Sequence, residues 1–395
     1  MMNSISVLVL DGQSDFSVPV IRCLADTPDV KIHVLSIDKW APSQFSRHVA
    51  SFEVVDVSEG PEQRLGIIRD AVRRKNVDVM LPVAEDAIRF VAAHREEMRH
   101  IGAIPPTPEL EPFEVISDKW GLAQFTTDHG IPAPCTTLLP AGDAMDLRTM
   151  GLRFPVLCKP TDRSNGSGIH LCQDQEALIM FAGSTTAKES RYLVQRFIEG
   201  FDIDCSVLCV EGSILAYTVQ RGFIGSSQPF APPVGIEFVQ EDRTLDVVEQ
   251  LMRKLRWTGV AHVDLRYDIQ EDVPKVIEVN ARYWRSLLGS LVAGVNFPNL
   301  ACRTALGETF PVPEYRHSRF ISKPLPALRY LMHPKGMSGV ASVSFAETNF
   351  AYMFRDPLPD LVREIRNLYR GRRWYPEKDE DADPSSLPHK AYRAA

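Results

Sequence analysis

The stretch Gly259 to Arg285, GVAHVDLRYDIQEDVPKVIEVNARYWR, contains two apolar runs that a short turn can set side by side as a hairpin. Side chains two apart on a strand share a face. His262, Asp264 and Arg266 therefore project together from the first run, and Glu278 and Asn280 from the second. Two carboxylates and an amide oxygen are hard donors, suited to a Mg²⁺ held between protein and nucleotide phosphates. These groups interrupt an otherwise apolar strand, Val276-Ile277-Glu278-Val279-Asn280, that runs on into Arg282 and Arg285. A solvent-facing hairpin has no need of that combination.

A lysine, a glycine-rich loop and a hinge precede the hairpin. Phe154 to Pro160 reads as a short buried strand carrying Lys159, with Pro160 closing it. A cation in such a strand requires an anion. Asp162 to Gly168 follows, and its Ser164, Asn165, Gly166, Ser167 and Gly168 form a polar, flexible segment whose glycines let backbone N–H groups turn toward a phosphate. The chain then re-enters a strand at Ile169 to Cys172. This strand, loop, strand order differs from the loop-then-helix of Walker sites, and no Gly-Lys-Ser/Thr is present.

The first hundred residues alternate strand and helix. Ser6–Leu10, Lys31–Ile37 and Val77–Leu81 read as strands, and Leu65, Ile68 and Val72 recur at helical spacing between the last two. This βαβ pattern implies a parallel sheet. The turn after the first strand, Asp11-Gly12-Gln13-Ser14, is not a dinucleotide fingerprint.

Taken in order and spacing, these motifs resemble the ATP-grasp superfamily, which includes carbamoyl-phosphate synthase, biotin carboxylase and D-alanine–D-alanine ligase. The similarity runs from about residue 5 to 310. It implies an α/β chain with an ATP-grasp fold, two α+β lobes holding ATP, preceded by a Rossmann-like parallel-sheet domain. The corresponding boundaries are 1–108 for the preliminary domain, 109–312 for the ATP-grasp domain with lobes meeting near 192, 313–376 for a C-terminal extension and 377–395 for a disordered tail. The resemblance makes Lys119 and Lys159 the nucleotide-phosphate cations and the 162–168 segment the loop over the phosphates. It makes Gln195, Arg196, Phe197 and Ile198 the adenine hinge, mainly through backbone groups at Arg196 and Ile198. Asp202 falls where relatives keep an acid for the ribose, with Asp204 as a competitor. Asp264, Glu278 and Asn280 match the Mg²⁺ (or Mn²⁺) ligands, and Arg285, Arg282 and His262 are the catalytic candidates. Two positions depart from the family: Gln195 stands where most relatives have Glu, and Asp264 where Glu or Gln is usual.

The implied function is ADP-forming activation of a small carboxylate as an acyl phosphate and its joining to an amine. Alternatives are a bicarbonate-dependent enzyme of the carbamoyl-phosphate-synthase or biotin-carboxylase type, and a nucleotide-binding protein without turnover. In relatives the preliminary domain contributes substrate contacts, for which Ser14, Arg47 and Glu85 are candidates. The 221–237 segment, rich in Gly, Ser and Pro, is expected to form a lid.

Composition agrees. A chain of 395 residues with 44% hydrophobic residues suits two or three domains, and a net charge of −7 leaves no nucleic-acid footprint. Seven dispersed cysteines fit reduced core positions, and the apolar run near the start is too short for a leader or membrane span. The expected setting is cytoplasmic, the expected partners are small carboxylate and amine substrates without nucleic acid or membrane, and a homodimer is the one assembly considered. A C-terminal helix is expected to pack Leu361, Ile365, Leu368 and Tyr369 onto the body and leave Arg363, Arg366, Arg370, Arg372 and Arg373 solvated.

Overall fold

The computed structural model describes residues 4–139, 152–161, 167–226, 230–332 and 343–371. Strands β1 (Ile5–Val9), β2 (Val30–Ser36), β3 (Val49–Val54) and β4 (Val79–Leu81) form an all-parallel sheet in the order β3-β2-β1-β4. Strand alternation divides β1 between two cores. Val7 and Val9 face the helix Ser17–Ala25, while Leu8 faces Leu65 and Ile68 of the helix Pro61–Lys75. The three expected strands and the helix between them are present, and the parallel pairing follows. Strand β3 was not anticipated: it is a half-buried edge strand, so its alternation is weak.

A second sheet, antiparallel, has the order β5 (Thr136–Leu138), β8 (Tyr192–Arg196), β6 (Val156–Pro160) and β7 (His170–Cys172). A third, six-stranded sheet runs β13 (Val273–Asn280), β12 (Gly259–Asp268), β9 (Gly200–Val210), β10 (Ser213–Ile224), β11 (Gly235–Phe238) and β14 (Ser318–Ile321). The pleat of this sheet decides where polar groups go. Ile203, Cys205 and Val207 of β9, with Ala261, Val263 and Leu265 of β12, bury against the helix Asp242–Leu255. Asp202, Asp204 and Ser206, with His262, Asp264 and Arg266, must then occupy the opposite face. Among the described residues the cysteines are free, and six of the seven are buried. No helix among these residues is long and apolar enough to cross a membrane.

The expected lid at 221–237 is sheet at both of its ends. Strand β10 continues to Ile224 and β11 starts at Gly235, with Arg221 opposite Glu237 and Gly222 opposite Ile236. Gly222 and Gly235 serve close packing here: an added Cβ would lie 2.9 Å from Pro233 and 2.7 Å from Ile224 respectively. Only the connection between the strands departs from the sheet, and residues 227–229 of it lie outside the described set.

The C-terminal helix Leu358–Gly371 also corrects the expectation. Leu361, Ile365, Leu368 and Tyr369 are 55%, 43%, 71% and 72% exposed. The helix is held instead by its polar side. Asp360 accepts from the buried Arg22 at 2.5 Å, Arg363 pairs with Asp360, and Arg366 donates to Asp38 at 2.7 Å and to the Trp40 carbonyl at 2.6 Å. One of the arginines expected in solvent, Arg366, is part of the attachment, because the loop after β2 offers it an acid and a carbonyl. Arg372 and Arg373 lie outside the described residues. Ahead of the helix, Asp356 binds Ser46 Oγ at 2.8 Å, the Arg47 amide at 2.9 Å and Arg22 Nε at 3.5 Å.

Asp356→Ala is therefore expected to destabilise the chain by about 3 kcal/mol, because it strips a buried guanidinium and a buried hydroxyl of a partner at once. Equilibrium urea unfolding of the two proteins would measure it. A midpoint equal to that of the parent chain would show that these contacts contribute nothing net.

Candidate functional site

Cross-strand register builds the site. In the β12–β13 hairpin Asp264 lies directly opposite Glu278, and His262 opposite Asn280. On the other side β9 places Asp204 opposite Asp264, Ser206 opposite His262 and Asp202 opposite Arg266. Three carboxylates, Asp204, Asp264 and Glu278, thus lie across three adjacent strands on one face. Asn280 Nδ2 donates to Asp264 Oδ2 at 3.2 Å, and its Oδ1 accepts from Arg282 at 2.7 Å. The Asp264 carboxyl is pushed well above its ordinary range, first by burial and then by its neighbours Asp204 and Glu278. Burial likewise raises Asp204. Carboxylates so placed are stabilised by a cation between them, which makes Asp264, Glu278 and the Asn280 oxygen a chemically fitting metal set.

His262 is buried, and burial followed by the nearby Arg282 lowers its imidazole to about 3, so the ring is neutral at physiological pH. Its Nδ1 meets Ser206 Oγ at 2.9 Å, its Nε2 lies 3.3 Å from Asp264 Oδ1 and 3.9 Å from Asp204 Oδ2, and the ring stacks on Trp284.

Both expected phosphate cations converge here. Lys119 opens the helix Lys119–Asp128, whose N-cap Asp118 accepts from the Trp120 and Gly121 amides, and its Nζ lies 3.7 Å from Glu278. Lys159 of β6 donates to Gln195 Oε1 at 2.6 Å, and Gln195 donates to Thr136 at 2.9 Å. The departure at position 195 thus has a local role: a neutral amide orients the lysine without pairing its charge. Burial lowers Lys159 to about 8, against the opposing pull of Glu278. Of the expected phosphate loop, Ser164, Asn165 and Gly166 lie outside the described residues. Gly168 adopts φ 73°, a conformation that favours glycine.

At the expected hinge, the Arg196 amide donates to the Cys135 carbonyl at 2.9 Å and the Phe197 amide to the Pro155 carbonyl at 3.0 Å. The Arg196 side chain turns away to Glu271 at 2.7 Å. The Ile198 carbonyl accepts from Arg266 Nε at 2.7 Å, and the same guanidinium grips Asp202 at 2.7 Å and the Gly200 carbonyl at 2.8 Å. Asp202 and Asp204, equivalent in the sequence, therefore separate: Asp202 joins the hinge, and Asp204 joins the carboxylates. Arg266 as the clamp of this hinge was not foreseen, although its alternation with Asp264 placed it on the right face.

Arg282 reaches the helix that follows β4. Its Nε lies 3.3 Å from Glu85, and its guanidinium sits 4.3 Å from the Phe16 ring. Glu85 opens the helix Glu85–Ala93 just after Val83 and Ala84, whose amides both bind the buried Asp11 at 3.0 and 2.7 Å. Burial raises that Asp11 to about 7. Arg285 is exposed beside this group and forms no ion pair with another described residue. Of the other substrate candidates, Ser14 accepts from the Phe16 amide at 3.2 Å, while Arg47 binds Asp356 and the Arg355 carbonyl instead of the site. Gln220, which donates to Asp204 at 3.1 Å and accepts from Ser286 at 3.0 Å, had no sequence signal, since only strand pairing brings β10 beside β9.

Residues 116–286 match the family model for the ATP-grasp domain. The chain is 25% identical over 210 residues to the mitochondrial arginine-specific carbamoyl phosphate synthase large chain of Neurospora crassa, covering 50% of this chain and 18% of that protein. It is 24% identical over 159 residues to the D-alanine–D-alanine ligase of Hydrogenovibrio crunogenus, covering 38% and 50% respectively. The chain thus spans half or less of the length of these curated relatives. Among solved structures, N5-carboxyaminoimidazole synthetase from Staphylococcus aureus complexed with ADP superposes with a TM-score of 0.64 at 14% identity, over 85% of this chain and 88% of that one. The L-amino acid ligase from Bacillus licheniformis gives 0.57 at 19% identity, over 82% and 81%. The family match thus assigns an ATP-grasp domain to residues 116–286, less than half of the chain, and the solved structures share the fold over most of its length.

Proposed function

We propose that this protein is an ADP-forming carboxylate–amine ligase. The observation that carries the reading is the convergence of Lys119, Lys159, Asp264, Glu278, Asn280 and Arg282 on one sheet face, bordered by a hinge at Arg196 to Ile198. In this reading the Arg196 carbonyl and the Ile198 amide meet the adenine edge, Asp202 meets the ribose, and Lys119 and Lys159 meet the phosphates. Ser167 and Gly168, with Ser164, Asn165 and Gly166, cover them. Asp264, Glu278 and the Asn280 oxygen hold Mg²⁺ or Mn²⁺, which supplies charge neutralisation on the phosphate oxygens.

Positioning and electrostatics are the principal demands of such a reaction. A substrate carboxylate oxygen attacks the γ-phosphorus, the bond to the β-phosphate oxygen breaks, and ADP leaves with an acyl phosphate remaining. The amine then attacks the acyl carbon and phosphate departs. Arg285 and Arg282 suit the anionic groups because a guanidinium spans two oxygens. Arg282 is tethered to Glu85, so the substrate would lie at the junction with the preliminary domain. Neutral His262 stays among the carboxylates and adds no positive charge.

Incubation with ATP, Mg²⁺ and pooled carboxylates and amines, with mass spectrometry of the products, tests the reading. ADP and an amide dependent on both substrates are expected. AMP formation, or ADP release that follows bicarbonate alone, would overturn it.

Lys159 gives a separate prediction for nucleotide affinity. The triphosphate favours the protonated amine, so its binding raises the lysine above the value of about 8 in the free protein. Affinity is then fully developed below pH 8 and declines as pH rises past it, by at most about tenfold per unit. Calorimetric titration of ATP between pH 7 and 9.5 would show this, and Lys159→Arg would flatten the profile. A decline of the same steepness in the arginine variant would assign the titration to another group.

A further inference from the structure

We propose that Asp204, His262 and Asp264 form a second divalent-cation site, suited to a first-row transition-metal ion of the Zn²⁺ or Co²⁺ class. The site lies beside the Glu278–Asn280 metal set and shares only Asp264 with it, so it goes beyond the ligase reading.

Spacing is the first argument. One ligand atom from each of the three residues lies within 4.8 Å of the others, with Nε2 of His262 3.3 Å from Asp264 Oδ1 and 3.9 Å from Asp204 Oδ2. Donors placed about 2.1 Å from one metal ion are roughly 3 to 4 Å apart, so small side-chain adjustments close the site.

Orientation is the second argument. Each of the three residues is held by a further group: Ser206 at His262 Nδ1, Gln220 at the Asp204 Oδ2 that faces the ring, and Asn280 at Asp264 Oδ2, the oxygen not turned to the ring, at 2.9, 3.1 and 3.2 Å. Gln220 is itself fixed by Ser286, and Trp284 stacks on the imidazole with an interplanar angle of 13°. Outer contacts of this kind fix the ring and carboxylates for metal ligation. His262 is only 9% exposed, and its Nε2 is turned into the site.

Charge is the third argument. Asp204 and Asp264 are directly opposite each other on neighbouring strands, an arrangement of like charges that opposes pairing unless something positive lies between them. The preference for the ion class comes from the imidazole. Mg²⁺ takes oxygen ligands and retains its waters, whereas imidazole suits borderline ions such as Zn²⁺. A cation here would hold β9 and β12 together and set the orientation of Asp264.

The test is optical titration of the full chain with Co²⁺ in the absence of nucleotide, followed by displacement with Zn²⁺ or Mg²⁺. One equivalent should bind with a d–d spectrum, be displaced by stoichiometric Zn²⁺ and survive millimolar Mg²⁺. Asp204→Asn and His262→Gln should each weaken Co²⁺ binding at least tenfold, with circular dichroism confirming that the variants fold. Glu278→Gln should retain Co²⁺ binding within about threefold while losing Mg²⁺-dependent ADP binding. Failure of Co²⁺ to bind the parent chain, equal displacement by Mg²⁺, or unchanged binding in both site variants would overturn the proposal. The ligase reading would be untouched by any of these outcomes, since ADP binding and amide formation report on it separately.

Discussion

Glu278→Gln is expected to lower Mg²⁺-dependent ADP formation by at least ~10²-fold, the usual scale for removing one preorganised electrostatic stabiliser. The substitution keeps the shape of the side chain and removes its charge from a face where Asp264 is directly opposite and Lys119 is 3.7 Å away. Thermal stability without nucleotide should hardly change. The side chain is one-third exposed, and pairs of that kind contribute about 0–1 kcal/mol. The paired measurement is therefore turnover against melting temperature. Near-normal turnover would remove Glu278 from the metal set, and a large fall in stability would mark it as a structural ion pair.

Arg285→Lys carries the second large effect and separates the ligase from its rivals. Hydroxylamine should replace the natural amine and trap the activated carboxylate as a hydroxamate, in a reaction requiring ATP, Mg²⁺ and the correct acid. The lysine variant should reduce the hydroxamate yield by about 10²-fold, because an ammonium is a point charge and cannot span two oxygens. Arg285 forms no ion pair with a described residue and is exposed, so its loss should leave the fold and ATP binding unchanged. A bicarbonate-dependent enzyme would release ADP without a carboxylate-derived hydroxamate. A variant as active as the parent would exclude Arg285 from the mechanism.

Much of the arrangement of the candidate face was legible in the chain because strand alternation is local. Once Val263 and Leu265 were assigned to a core, His262, Asp264 and Arg266 had to face the other way, and the hairpin turn brought Glu278 and Asn280 opposite them. The helix at 61–75 and the parallel pairing of β1, β2 and β4 were legible for the same reason: periodicity is written within each segment.

Contacts between distant segments had no such signal. Whether Asp202 or Asp204 joins the carboxylates depends on how β9 pairs with β12, more than fifty residues away, and the answer divided two residues that look alike in the sequence. The segment from Arg221 to Glu237 reads as a flexible lid by composition, yet its two ends pair as β10 and β11, where Gly222 and Gly235 admit Pro233 and Ile224. The C-terminal helix reverses its expected orientation because buried Arg22 binds Asp360, a contact between residues 338 apart. By itself the sequence determined the chemical groups, the faces they occupy and the resemblance that residues 116–286 bear to the ATP-grasp domain. Only the tertiary structure decided which cation meets which acid, since that depends on strand order and on buried partners that local periodicity does not encode.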